Sequence, residues 1–352
     1  MVPVLPALEY QFERIFRRTM LFPAEHLTVD VVVNLQAGSL SSEKRAVATV
    51  EALNRLTSGI VGPERPDGSL AMRFHVTHYV GHAREISCDL VSRCTPGVHL
   101  ILSLGGDGTH GDVLSAYESS TWSSSSRRFF VRLPMGTGND GADARDLPSM
   151  VRLLLGSAEE RRAARLVVKP SRMSTFRGFN IASVGLDAYV AYLTNRLKGR
   201  FGGDLYKVIA DVMTLLYERV VGADPMVVSC LSEEGSPDEL AGRFMLVAFG
   251  VSGYRQYGGG KVVLPGYENV CAIERLGLLG KVRLKSLFYR GEHIHESNVH
   301  MRSAKRITIE YGRSIPLQID GETVWLEKHN FPLEMHVLPP EVPVLSYAGR
   351  LP

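Results

Sequence analysis

Residues 98–114 constrain the fold most. Val98-His99-Leu100-Ile101-Leu102-Ser103-Leu104 is a largely apolar run, Gly105-Gly106-Asp107-Gly108-Thr109 is a glycine turn, and His110-Gly111-Asp112-Val113-Leu114 opens a helix. A buried strand that feeds a helix through glycines belongs in a parallel α/β sheet. The glycines are expected to take positive φ and bring backbone close to a ligand, while the helix start offers unpaired N–H groups to an anion. Residues 129–133, followed by Pro134-Met135-Gly136-Thr137-Gly138-Asn139-Asp140, repeat the construction. Two such turns at the ends of neighbouring parallel strands flank one crevice, and the outline is that of a phosphate site.

The polar residues of the two turns have distinct uses. Asp107, between glycines, can hold a magnesium ion or accept a proton. Thr109 and Thr137 supply hydroxyls and Asn139 an amide, able to bond phosphate oxygens or to fix the loops. A nicotinamide dinucleotide site is disfavoured. Gly106, Gly108 and Gly111 fit its fingerprint, but the acid expected about 20 residues on is replaced by a serine-rich stretch. No Walker sequence exists, because Gly260-Lys261 and Gly280-Lys281 are each followed by valine.

Around this centre, strand and helix patterns alternate. Residues 27–33 read as a strand, 46–56 as the apolar face of a helix begun by Ser41 or Ser42, 72–76 as a strand, and 83–90 as a helix. Residues 8–21 form an amphipathic pattern with Arg14, Arg17 and Arg18 off the apolar face; it suits docking on its own domain or contact with an anionic membrane surface. Beyond Arg165 the apolar runs are short and turn-bounded, 282–288 among them, which predicts a second, antiparallel β domain interrupted by one helix over 205–216.

Composition narrows the classes. With 45% hydrophobic and 22% charged residues in 352, the chain is a globular protein of about two domains. A net charge of +3, from dispersed bases, argues against nucleic acid. Four cysteines without Cys-x-x-Cys spacing suggest free thiols and a cytoplasmic location. His293, His295 and His300 lack a nearby cysteine and read as core or surface histidines.

The paired motifs resemble those of the diacylglycerol kinase catalytic domain family, which also holds sphingosine kinases, ceramide kinases and bacterial lipid kinases. The resemblance runs from about residue 27 to 338. It implies ATP and Mg²⁺, with Gly105, Gly106, Gly108, Gly111, Gly136, Thr137, Gly138 and Asn139 around the phosphates. Asn34, at the end of the first strand, and Thr77, after the second, fall where the family approaches the nucleoside; Leu35 replaces a usual proline. Residues 178–188 resemble the entry to the second domain, Gly258-Gly259-Gly260 a glycine-rich strand start, and Asp320-Gly321-Glu322 a late motif that brings Glu322 toward nucleotide or lipid.

One departure concerns the proton acceptor. Bacterial members have an Asp-Gly pair before an apolar strand after the triple glycine, and Leu276-Gly277 is aligned there. The role then passes to Glu274, to Asp107 as in the sphingosine kinase branch, or to Glu268. The expected fold is α/β: a Rossmann-like three-layer N-terminal domain with a parallel sheet, plus a C-terminal antiparallel β-sandwich. The expected boundaries are an extension at 1–26, a nucleotide domain at 27–150, a lipid domain at 151–338 and a tail at 339–352. The expected function is an ATP-dependent lipid kinase with a lipid substrate, peripheral membrane contact and a homodimer allowed. Its alternatives are a nucleotide-binding protein of the same fold without transfer activity and an NAD kinase.

Overall fold

The structure is a computed structural model that describes residues 4–119, 127–136, 139, 141–197, 217, 221, 222, 224–257 and 261–349. Thr137, Gly138, Asp140, the serine run over 120–126, the helix expected over 205–216 and the triple glycine 258–260 lie outside the described residues. The chain divides into two compact units. One runs to Ala163 and includes the segment from Pro340 onward; the other is Ala164–Pro339.

In the first unit, α1 (Val4–Phe16), β1 (Leu27–Val33), α2 (Glu43–Thr57), β2 (Leu70–Val76), α3 (His82–Ser92), β3 (Val98–Gly105), α4 (Asp107–Ser119), β4 (Arg127–Pro134) and α5 (Leu147–Leu155) follow in order. The parallel sheet has the order β2-β1-β3-β4. Side chains alternate across it. Val29, Val31, Leu100, Leu102 and Val131 share one buried cluster with α1, α2 and α5, and α3 and α4 pack together and against β1 and β3. Ser42 starts α2 as an N-cap, its hydroxyl accepting the Arg45 N–H.

The ends of this unit differ from the expected extension and tail. Leu8, Phe12, Ile15 and Phe16 of α1 are fully buried in its core, each worth roughly 1.5–3 kcal/mol of burial. The apolar face considered for a membrane surface is therefore covered by the protein's own core. Near the C-terminus, Val344 pairs parallel with Phe130, so residues 339–347 of the segment read as a tail belong to a strand. Local patterning marks an apolar face but not what covers it.

Strand β5 (Ala158–Pro170) leads into the second unit. There follow β6 (Phe176–Gly178), β7 (Ile181–Gly185), α6 (Leu186–Leu197), β8 (Met226–Leu231), β9 (Pro237–Gly242), β10 (Phe244–Gly250), β11 (Arg255–Tyr257), β12 (Lys261–Leu264) and β13 (Val270–Glu274). Then come α7 (Leu278–Phe288), β14 (Val299–Arg302), β15 (Arg306–Tyr311), β16 (Ile315–Ile319), β17 (Glu322–Leu326) and β18 (Leu333–Tyr347). One antiparallel sheet runs β14-β13-β10-β7-β16-β17. In a second antiparallel set, β15 lies between β8 and the first half of β18, with β9 beyond β8. Phe249, Ile273, Ile307 and Ile309 belong to the one core cluster these strands share.

The run 282–288, expected as a strand, belongs to helix α7. Its buried contacts come from Leu284 and half-buried Leu287 and Phe288, a spacing of three to four rather than two. Among the described residues no helix is long and apolar enough to cross a membrane.

Candidate active site

The two glycine motifs meet at the C-terminal ends of β3 and β4. A Cβ on Gly136 would lie 2.6 Å from Gly106 Cα, and one on Gly105 would lie 2.6 Å from Thr109 Oγ1. The expectation of positive φ is corrected here: Gly105, Gly106 and Gly136 all lack it, and Gly108 and Gly111 sit within α4, which begins at Asp107. Gly136 is required by closeness, since a Cβ there would push against the backbone of the other loop, and Gly105 makes room for Thr109. The left-handed residue is Asn139, at φ 57°. Its Oδ1 accepts the Gly136 N–H at 2.7 Å, the local bond that makes asparagine tolerable there.

Other predicted residues gather at the same sheet edge. Asn34 donates its N–H to Leu104 O at 3.0 Å, its Oδ1 accepts the Gln36 N–H at 2.9 Å, and its Nδ2 donates to Thr109 Oγ1 at 3.0 Å. Thr77 donates its N–H to Val33 O at 2.9 Å, which carries β2 up to the level of Asn34. Asp107 Oδ1 accepts the Gly141 N–H at 3.0 Å, so the carboxylate ties the start of α4 to the loop after β4. One carboxylate beside close-packed backbone fits Mg²⁺, which takes one or two protein carboxylates and draws its other ligands from phosphate and water. The helix start and glycine surfaces fit phosphate.

Buried polar groups beneath these loops escaped the sequence reading. Arg132 grips Asp143 with Nε at 3.0 Å and Nη2 at 2.8 Å, and Ser346 Oγ donates to the same carboxylate at 2.8 Å. His110 Nδ1 lies 2.7 Å from Ser103 Oγ. Burial, with Arg132 nearby, pushes the His110 pKa down to about 3, so the ring is neutral at physiological pH. The available signal was a polar residue within an apolar strand, as at Ser103 and Arg132.

In the second unit, β12 follows the triple glycine directly and β13 is the next apolar strand, with Glu268 between the two. Leu276-Gly277 follows β13 and leads into α7, so it precedes a helix rather than an apolar strand. Helix and strand boundaries decide this, and periodicity alone misplaced them. Glu268 is half-buried and folds over Gly266, where a Cβ would meet Oε2 at 2.8 Å. Asn269 anchors it, donating to Gly250 O and Ala304 O and accepting the Ala304 N–H.

Glu274 is exposed and pairs with His300 at 2.8 Å. Glu322 is exposed at the start of β17. Asp320 is structural: its carboxylate accepts the N–H groups of Phe179, Asn180 and Ile181 at 2.6, 3.0 and 2.9 Å. His293 is buried against Phe288, with Nε2 3.1 Å from Val263 O.

Asp187, in the first turn of α6, received no role in the sequence reading. Its Oδ2 accepts the Ser183 hydroxyl, and Ser183 Oγ accepts Gln318 Nε2 at 2.8 Å. Burial raises its pKa, against the hydrogen bond from Ser183.

The diacylglycerol kinase catalytic domain profile matches residues 28–167, and that of the YegS C-terminal NAD kinase beta sandwich-like domain matches 180–346. A Staphylococcus saprophyticus protein named diacylglycerol kinase is 24% identical over 230 residues, covering 63% of this chain and 70% of the relative. A Xanthomonas euvesicatoria protein named "Probable lipid kinase YegS-like" is 27% identical over 267 residues, covering 71% and 82%. The solved structure of a candidate diacylglycerol kinase from Bacillus anthracis shares the fold at a TM-score of 0.55, with 16% identity over 91% of this chain and 95% of that one.

Proposed function

We propose that the chain, whose residues 28–167 match the diacylglycerol kinase catalytic domain family, is a lipid kinase transferring the γ-phosphate of Mg·ATP to a lipid hydroxyl. The observation that carries this reading is the backbone contact of Gly106 with Gly136 at the ends of two adjacent parallel strands. Phosphoryl transfer depends on positioning and charge stabilisation, and closely packed glycine backbone supplies positioning.

In this reading Gly106, Gly136 and the first turn of α4 hold phosphate oxygens, with Thr137 and Gly138 completing the second loop. Asp107 orients Mg²⁺. Asn34 and Thr77 line the nucleoside side, and Thr109, already bonded by Asn34, holds that arrangement rigid. Glu268 receives the proton of the acceptor hydroxyl. It precedes the strand as the family's aspartate does, whereas Glu274 is engaged on the surface by His300. Glu268 also weakens the alternative of a protein without transfer activity, which rested on leucine at the acceptor position.

Labelled γ-phosphate supplied as Mg·ATP, with diacylglycerol, a sphingoid base, ceramide and phosphatidylglycerol in mixed micelles, tests the proposal. Labelled lipid that disappears with Asp107→Asn is the expected result. A chain that binds ATP and labels no lipid would overturn it, and label entering NAD instead would favour an NAD kinase.

A further inference from the structure

Helix α7 has apolar residues on both of its faces. Leu284, Leu287 and Phe288 turn inward, and Phe288 packs on the core of the second unit. Leu278, Leu279, Val282 and Tyr289 turn outward and are 57%, 85%, 56% and 50% exposed. Leu278 and Leu279 are the exposed leucines among the described residues. Single exposed apolar residues need no explanation, but four on one short helix do.

Their arrangement is ordered. At about 3.6 residues per turn, Leu278, Val282 and Tyr289 form one stripe with Leu279 beside it, bordered by Lys285 on one side and Arg283 on the other. Tyr289 continues the helical backbone at φ −67° and ψ −23°. Folding already uses the inward stripe, and a helix at a water-facing surface would carry polar residues on the outward one.

The chain around the stripe is rich in bases, with Arg283 and Arg290 ion-paired. From Arg275 to Arg290 the chain carries Arg275, Lys281, Arg283, Lys285 and Arg290 and no acid. Glu296 and Glu292, just beyond, pair with Arg283 and Arg290. An outward apolar stripe edged by bases is the pattern that lies in the headgroup layer of an anionic bilayer, with aliphatic side chains inserted and tyrosine at the boundary.

We propose that the outward face of α7 docks the protein on an anionic phospholipid surface. The choice of a bilayer rests partly on the lipid-kinase reading, because a long-chain acceptor resides in one; the basic border supports it separately. The apolar face of α1, by contrast, is buried in the first unit.

Sedimentation of the full chain with phosphatidylcholine vesicles, with and without phosphatidylglycerol and in the absence of nucleotide, tests this. Wild-type protein should sediment only with the phosphatidylglycerol vesicles, and less at high salt. Leu278→Glu/Leu279→Glu should weaken binding about tenfold or more, and Val282→Glu less, since affinity scales with inserted apolar area. Val61→Glu, at an exposed valine of the first unit, should bind as wild type.

Unchanged thermal unfolding would show that the variants fold. Unchanged vesicle binding by folded Leu278→Glu/Leu279→Glu would overturn the proposal. So would a wild-type dimer that binds no vesicles and is made monomeric by the same change, which would assign the stripe to a second copy. Transfer to a water-soluble short-chain diacylglycerol separates the two readings: its absence in wild type counts against the kinase, while vesicle binding judges the stripe.

Discussion

Gly136 lies so close to Gly106 that a Cβ on the former would sit 2.6 Å from the Cα of the latter. Two loops, 30 residues apart in the chain, are thereby held backbone to backbone. Gly136→Ala should force them apart. A displacement of about 1 Å at a reacting centre can cost on the order of 10²-fold in rate. The variant is expected to lose ATP affinity and transfer together while retaining its secondary structure, as read by calorimetric titration and circular dichroism.

The proton acceptor can be assigned by substitution. Removing a general base costs about 10²–10⁴-fold. Glu268→Gln should lower kcat by that order with ATP affinity intact, and Glu274→Gln, which removes an exposed pair with His300, should change it less than about twofold. The reverse ranking in steady-state transfer would return the role to Glu274.

Asp30 is a buried carboxylate on β1, 2.7 Å from His75 Nε2 and 2.8 Å from His99 Nε2, with Arg73 at 3.3 Å. Burial by itself would raise its pKa, but the hydrogen bonds from His75 and His99, with the His99 and Arg73 charges, hold it well below the usual carboxylate range. A folded pKa below the unfolded one stabilises above the unfolded value and loses that stabilisation as pH falls. Asp30→Asn should therefore cost about 3–5 kcal/mol at neutral pH. The difference from wild type should shrink below about pH 4 in denaturant titrations.

His110 works in a different window. Its pKa, pushed down to about 3, means that the unfolded chain takes up a proton first as the medium acidifies. Wild-type stability should fall below about pH 6.5, by up to about 1.4 kcal/mol per pH unit from this residue. His110→Gln should flatten that slope, as followed by urea unfolding across pH.

Phe12 of α1 is fully buried and meets Phe74 edge to face, with centroids 5.8 Å apart. Phe12→Ala should destabilise the protein by about 3–5 kcal/mol. An unfolding midpoint unmoved by this change would show that α1 is dispensable to the first unit.

Much of the first unit was legible because its signals are local. The strand over Leu27–Val33 and the helix begun at Ser42 coincide with β1 and α2, since apolar periodicity and an N-cap act within a few residues. Asp107, Gly105, Gly106, Gly136 and Asn139 were readable as one group because both glycine motifs follow apolar strands, whereas Asn34 and Thr77 entered only through the family resemblance. The positive φ expected of these glycines is absent, and at Gly136 steric exclusion between distant loops takes its place.

The second unit was less legible. Residues 282–288 looked like a strand because the helix's outward and inward apolar residues together blur the helical period. Asp187 gave no local sign of being a buried carboxylate, because its partners Ser183 and Gln318 come together only through the pairing of β7 with β16.

The amino-acid sequence by itself determined the α/β class, the strand–glycine–helix repeat and the residues at its turns, because each depends on neighbours along the chain. Tertiary structure decided which apolar faces are covered, which acid precedes β13 and why Gly136 has no room for a side chain. Those properties depend on contacts between residues far apart in the chain, and close packing leaves such contacts no slack.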